Sequence, residues 1–221
     1  FSSTMRLAAA IGVINAAAIS IVASSLYLSR LHHDQQAASL TRNIAEVLDQ
    51  SISGDIRRAD IALLSIADEA ERQLRAGGID RESLSRFIMR AHERMPELVA
   101  MRATDAAGSA IYGAPVKAVT TSSLAHRNYF TKLRDNPGAA LAVSEPLVGG
   151  ISGKWMIVLA RRISNPDGSF AGLVYGGCSI ERFTNLFSRI DMGRRTSVSL
   201  YTDSFTIVAR YGEGRDLSAL T

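Results

Sequence analysis

The chain has 221 residues, 47% hydrophobic and 21% charged, enough apolar material for one large or two small cores and too much for a disordered chain. The net charge of +4 raises the question of nucleic acid. However, the basic residues come singly or in pairs (Arg57-Arg58, Arg161-Arg162, Arg194-Arg195) among acids and without interleaved aromatics, which argues against a DNA or RNA groove.

The run Leu7–Leu28, LAAAIGVINAAAISIVASSLYL, carries no charge and is flanked by Arg6 on one side and Arg30, His32 and His33 on the other. As a helix it would extend about 33 Å, enough to cross a hydrocarbon core of about 30 Å. It reads as a membrane anchor over residues 1–30. A cleaved leader ending near Ala23-Ser24-Ser25 and a buried soluble helix are the alternatives. The sequence starts at Phe1 rather than Met and opens a new unit shortly before Thr221, so we read it as part of a longer protein.

From Leu31 to Arg75 there is no proline, and Gly54 is the only glycine. Apolar residues recur every three or four positions at Leu40, Ile44, Val47, Leu48, Ile52, Ile56, Ala59, Leu63, Ile66, Ala70 and Leu74. That is the stripe of one long amphipathic helix, ended by Gly77-Gly78. Such a stalk over 31–78 can carry a domain on its side, form a dimer seam, or do both.

A second helix is expected over Ile79–Glu93. Strands follow at Leu98–Ala103 and Ser109–Tyr112 around Asp105-Ala106-Ala107-Gly108, then an irregular stretch over 116–125. The pentapeptide HRNYF (126–130) is expected to open a short helix through Arg134 that ends at Asn136-Pro137-Gly138. Three more strands come next: Ala142–Val148, Lys154–Ile163 and Phe170–Cys178, the last two joined by Pro166-Asp167-Gly168, a strong hairpin signal. A helix over Ile180–Ile190 closes the unit, and Thr196–Tyr201 with Thr206–Tyr211 reads as the first hairpin of another. The order predicts an α+β fold in which the long helix packs on a five-stranded antiparallel sheet.

Enzymatic signals are missing. GGISG at 149–153 does not match a nucleophile elbow, and its strand-turn-strand setting is wrong for one. No phosphate-cradling loop occurs. Cys178 is the only cysteine and the four histidines lack ligand spacing to it, so no disulfide, metal or cofactor is expected.

The ordered set HRNYF, then SEPLVGGISGKWMIVLARR (144–162), PDGSFAGLVYG (166–176), Phe183 and FSRIDMG (187–193) resembles the double Cache (tandem PAS-like) extracytoplasmic sensor domains of bacterial transmembrane receptors. The similarity covers about residues 35–211. It implies a membrane-distal PAS-like domain over 79–190 and the start of a membrane-proximal one over 191–221. It also implies a periplasmic location at the inner membrane and a cytoplasmic output lying outside this sequence, a diguanylate cyclase or histidine kinase more often than a chemoreceptor. A ligand-free stalk or dimerisation domain is the competing class, and a homodimer is expected in either case.

For the site, Arg127 offers a planar five-donor fork suited to a carboxylate, and Tyr129 a hydroxyl; the plainer alternative for Arg127 is an ion pair with a neighbouring acid. Further candidates are Tyr112, Ser144, Trp155, Arg161 and Ser179, with Tyr175 behind them. By alternation Trp155, Ile157, Leu159 and Arg161 share one face of their strand. Amino-acid-binding members of the resembled family carry an Arg-x-Trp-Tyr element and an aspartate that meets the ligand ammonium. Here Asn128, Tyr129 and Phe130 follow Arg127, and the aspartate position falls on Ser179, so the expected ligand is a carboxylate or other small anion rather than an amino acid.

Overall fold

A computed structural model of the chain describes residues 3–113, 123–150, 152–190 and 196–212, without the side chains of residues 3–11, 13, 14, 26 and 28–37. It divides into two compact units, Phe1–Ile52 and Ser53–Thr221. Helix α1 runs over Ser3–Arg75, so the boundary falls within a helix.

In the first unit, no helix among the described residues is long and apolar enough to cross a membrane. This leaves the expected span over Leu7–Leu28 without support. The described side chains of that run, at Gly12, 15–25 and Tyr27, include Ile19, Ile21 and Val22 beside alanines, serines and Asn15. Leu7, Ile11, Val13, Ile14, Leu26 and Leu28 lie outside the described side chains. Leu40 and Val47, placed in the apolar stripe from sequence, are exposed at 58% and 61%, whereas Leu48 and Ile52 are buried. Neighbouring residues on a helix point about 100° apart, so Val47 cannot share the centre of a stripe with Leu48.

In the second unit α1 keeps the predicted stripe: Ala59, Leu63, Ile66 and Ala70 are buried. It ends where Gly77 and Gly78, both at positive φ, donate their amides to Leu74 O and Gln73 O, closing the carbonyls that a helix end leaves open. Helix α2 (Arg81–Glu93) starts at Asp80, whose carboxylate accepts from the Glu82 and Ser83 amides; removing such a cap costs about 1 kcal/mol. Leu84 and Ile88 are its buried face.

The sheet has six antiparallel strands: β1 (Leu98–Ala103), β2 (Tyr112–Gly113), β3 (Ala142–Val143), β4 (Leu147–Val148), β5 (Trp155–Ser164) and β6 (Phe170–Ser179). Their order is β2-β1-β6-β5-β3, with β4 also on β5. The expected five strands become six because Ser144-Glu145-Pro146 splits one of them, and Pro146 has no amide to give to the ladder. Between β5 and β6, Gly168 takes the positive φ of the turn. Gly172 lets β6 approach β1, since a Cβ there would stand 2.1 Å from Thr104 O.

A short 3-10 turn (Leu124–His126) precedes α3 (Asn128–Asp135), and α4 (Ile180–Ser188) follows β6 directly. The irregular stretch expected over 116–125 lies outside the described residues up to 122. A two-stranded hairpin, β7 (Ser197–Tyr201) and β8 (Ile207–Gly212), stands where the second unit was expected to open. Its turn is Asp203-Ser204-Phe205 rather than Asp-Gly, and Phe205 takes φ 60°. Glu145, in the gap between β3 and β4, accepts from the hydroxyls of Ser204 and Thr202, giving the serine in that turn a partner that glycine would lack.

Candidate ligand-binding site

The two central strands pair as Met156↔Ser179, Val158↔Gly177, Ala160↔Tyr175 and Arg162↔Leu173. Paired residues share a face and neighbours alternate, so these eight look to one side of the sheet. Arg102 of β1, opposite Tyr175, joins them. Helix α3 covers this side: Tyr129, Phe130 and Leu133 are buried in one cluster with Met156, Val158, Ala160 and Leu173. Phe130 meets Phe170 edge-on, with ring centroids 5.2 Å apart. Gly177 leaves no gap on this side: a Cβ there would stand 2.8 Å from the Met156 sulfur, so the thioether occupies that space.

HRNYF places its residues as a helix start does. His126 is exposed and ends the 3-10 turn. Arg127 is the N-cap of α3, with extended backbone (φ −77°, ψ 138°), and its carbonyl accepts from Phe130 N at 2.9 Å and Thr131 N at 3.1 Å. Tyr129 and Phe130 then turn onto the sheet. The Arg127 guanidinium has no ion pair among the described residues, and its Nε is buried without a hydrogen-bond partner. The other buried orphan on this side is Ser179 Oγ. Ser179 stands at the N-cap of α4 yet makes no side-chain cap. A buried polar atom left unpaired costs about 1–3 kcal/mol, so two of them facing one side mark where a partner is due.

The tyrosines add hydroxyls without hydrogen bonds among the described residues. Burial, and then Tyr175, push the Tyr129 hydroxyl up to about 12 against the opposing charge of Arg127. Tyr175 is also raised by burial, against the pull of Arg102. Both stay neutral donors at physiological pH. Arg102 is itself buried, at 7% exposure. Nearby acids are engaged elsewhere. Asp105 accepts the amides of its own turn, Asp135 pairs with Arg134 at the far end of α3, and Glu145 serves the β7–β8 turn. The side beneath α3 thus presents the Arg127 guanidinium and the Tyr129, Tyr175 and Ser179 hydroxyls, a donor set that suits an anion.

The remaining candidates divide. Ser144 is buried on this side, but its Oγ accepts from Val158 N at 2.8 Å and donates to Glu145 O at 2.8 Å, which bridges the break between β3 and β4. Arg161 points to the opposite face and makes a two-pronged pair with Asp60 of α1, at 2.6 and 2.8 Å. Trp155, paired with Val148, shares the Arg161 face by alternation. Tyr112 is paired with Ala103 and so belongs to that face too, where burial, and then the charge of Asp105, raise its hydroxyl. The structure brings Arg127, Tyr129, Tyr175 and Ser179 to one side and leaves Trp155, Arg161 and Tyr112 on the other. Arg102 was missed from sequence; the signal was an arginine inside the apolar strand LVAMRA. Among the described residues no group of histidines, cysteines and acids could hold a metal.

Solved structures carry the same arrangement of elements. The extracellular domain of rpHK1S-Z16, assigned as a histidine kinase, superposes with a TM-score of 0.69 at 25% identity, over 79% of this chain and 72% of that one. The ligand-binding domain of the Pseudomonas aeruginosa PAO1 amino acid chemoreceptor PctC, in complex with GABA, gives 0.60 at 15% identity, over 75% and 72%. The ligand-binding domain of the Pseudomonas fluorescens chemoreceptor CtaA, in complex with L-alanine, gives 0.58 at 18% identity, over 77% and 70%. The fold is that of a Cache-type sensor domain. No family model and no curated protein matches the sequence, so the Cache-type assignment rests on architecture together with the ordered motifs.

Proposed function

We propose that the chain is the extracytoplasmic ligand-sensing region of a membrane-bound signal-transduction receptor, and that the side of the sheet beneath α3 receives a small anion, a carboxylate in the first place. The observation that carries this reading is the Arg127 guanidinium, buried at Nε with no partner. Arg127 as a whole is only half-buried, and it is the buried, unpaired Nε–H, costing about 1–3 kcal/mol while unmet, that a bound carboxylate would complete. PctC and CtaA are described with amino acids bound. Here no described acid is free on this side to meet an ammonium, and Ser179 stands where the resemblance implies an aspartate. An anion without an amine is the better match.

The anchor is assigned to residues 7–28 and the location to the outer side of a bacterial inner membrane. Exposed Leu40 and Val47, seven residues apart on α1, suit a helix–helix dimer seam. The output would be a diguanylate cyclase or a histidine kinase outside this sequence, while the chemoreceptor structures support a chemoreceptor output as the second reading. Catalysis is assigned to that output and to none of the residues present. In this reading ligand binding shifts α3 against the sheet and the sheet against α1, which carries the displacement toward the membrane.

A thermal-shift screen of organic acids and amino acids tests the site. The expected result is stabilisation by one or more acids that is lost in Arg127→Ala, with weaker response to the matching amino acids. No response across a broad panel would favour a ligand-free stalk. Crosslinking along residues 31–56 that ignores a stabilising acid would sink the relay.

A further inference from the structure

Two neighbouring arginines on β5 point to opposite faces and each grips a helix. Arg162 Nη1 donates to Leu133 O at 2.8 Å and Arg134 O at 2.9 Å, two of the last carbonyls of α3. Its Nη2 donates to Gly168 O at 3.0 Å, its Nε to Ser164 Oγ at 3.1 Å, and its guanidinium carbon lies 5.0 Å from the Phe170 ring centroid. Phe170 in turn meets Phe130 of α3. All four acceptors are neutral. A cation placed on the negative end of a helix and spread over four acceptors in a plane is a use only the arginine fork supplies. On the other face Arg161 grips Asp60 of α1.

We infer that Arg161 and Arg162 are paired positioning residues: Arg162 sets how α3 lies on the sheet, and with it Arg127 and Tyr129 at the other end, while Arg161 holds α1 behind the same strand. Helix α3 is only eight residues long, about 12 Å, so its C-terminal anchor governs its N-terminal end. The inference builds on the proposed ligand side, where α3 supplies Arg127. It also makes β5 a direct connection between α3 and α1, through two adjacent residues of one strand.

Residue-resolved hydrogen exchange on the full chain, without ligand, tests it. In Arg162→Lys the amides of Phe130 and Thr131, which donate to Arg127 O, should exchange at least tenfold faster, while the α1 amides between Ala59 and Ala70 stay within twofold of wild type. Arg161→Ala should do the reverse. Loosening confined to the last turn of α3 would reduce Arg162 to a helix cap and overturn the proposal, as would an equal rise in both helices in either variant. Thermal shift with sodium acetate and disodium malonate as probes separates this from the ligand reading. Selective loosening in a protein that no anion stabilises retires the ligand side and leaves the two anchors standing. An anion response as large in Arg162→Lys as in wild type overturns the positioning role.

Discussion

The two sides of the sheet treat polar groups in opposite ways. Toward α1, charges are matched: Arg161 with Asp60, Arg182 of α4 with Asp55, and Glu71 accepting the Ser164 amide at 2.9 Å. Among the described residues, Glu97 Oε2 is the one buried polar atom left over there, beside Arg58. Toward α3, the donors Arg127 Nε and Ser179 Oγ have no hydrogen-bond partner among the described residues. A side whose ion pairs close on themselves is a scaffold, because any displacement breaks a bond already made. A side that keeps donors unpaired under a short helix is, in the function proposed above, the side a ligand completes.

That contrast is broken most directly at Asp60. Its pair with Arg161 is mostly shielded, with side chains 25% and 19% exposed, between the surface case worth under about 1 kcal/mol and the buried case costing about 3–5 kcal/mol when one partner goes. Asp60→Ala is therefore expected to cost about 2 kcal/mol in urea unfolding and to leave any anion response in place. Loss of the response with little loss of stability would put α1 in the site and erase the distinction.

Alkaline pH sharpens the other side. Tyr129 is neutral when protonated, and burial raises its hydroxyl from the ordinary 10.0 to about 12. The folded state therefore holds the proton where the unfolded state has lost it. Stability from this group is fully present below pH 10 and falls as pH rises toward 12, at about 1.4 kcal/mol per unit. Tyr175 is raised as well, so the fall is shared. Unfolding followed from pH 9 to 12 should give a shallower decline in Tyr129→Phe than in wild type; an unchanged slope would mean the hydroxyl is not enclosed.

Ser144 tests the boundary between scaffold and site on one side of the sheet. Its hydroxyl is saturated by Val158 N and Glu145 O, and Ser144→Ala leaves the Val158 amide without that partner. A cost of about 1–2 kcal/mol is expected, with the preference among organic acids unchanged. A changed preference at constant stability would return Ser144 to the ligand.

How much of this was readable in advance follows from what each residue type constrains. The stripe Ala59, Leu63, Ile66 and Ala70 and the Pro-Asp-Gly turn are local signals, and both stand in the structure. Alternation had already put Trp155 and Arg161 on one face and Met156 and Val158 on the other. What it could not say was which face α3 would cover, since that depends on pairing between residues far apart in the chain. For the same reason Arg161 and Arg162 looked alike, although one meets a carboxylate and the other the end of a helix. Arg102 stayed hidden because an arginine within an apolar strand is informative only once its neighbour, Tyr175, is known. The split at Ser144-Glu145-Pro146 is signalled by Pro146, but the residues on either side favour a strand strongly enough to hide it.

The smallest effect decides most. Arg127 makes no ion pair and buries Nε without a partner among the described residues, so its removal deletes no side-chain bond seen there. What is lost is alkyl packing at the start of α3; what is gained is relief from an unpaired buried donor, and these are of similar size, about 1 kcal/mol each. Arg127→Ala should therefore change urea-unfolding stability by less than about 0.5 kcal/mol in ligand-free buffer, in contrast to Asp60→Ala on the opposite face. Arg127→Lys, which keeps the charge and loses the fork, should be equally silent in stability and should weaken carboxylate binding without abolishing it. A loss of about 2 kcal/mol in Arg127→Ala would show that this guanidinium already has a structural partner, and both sides of the sheet would then be scaffold.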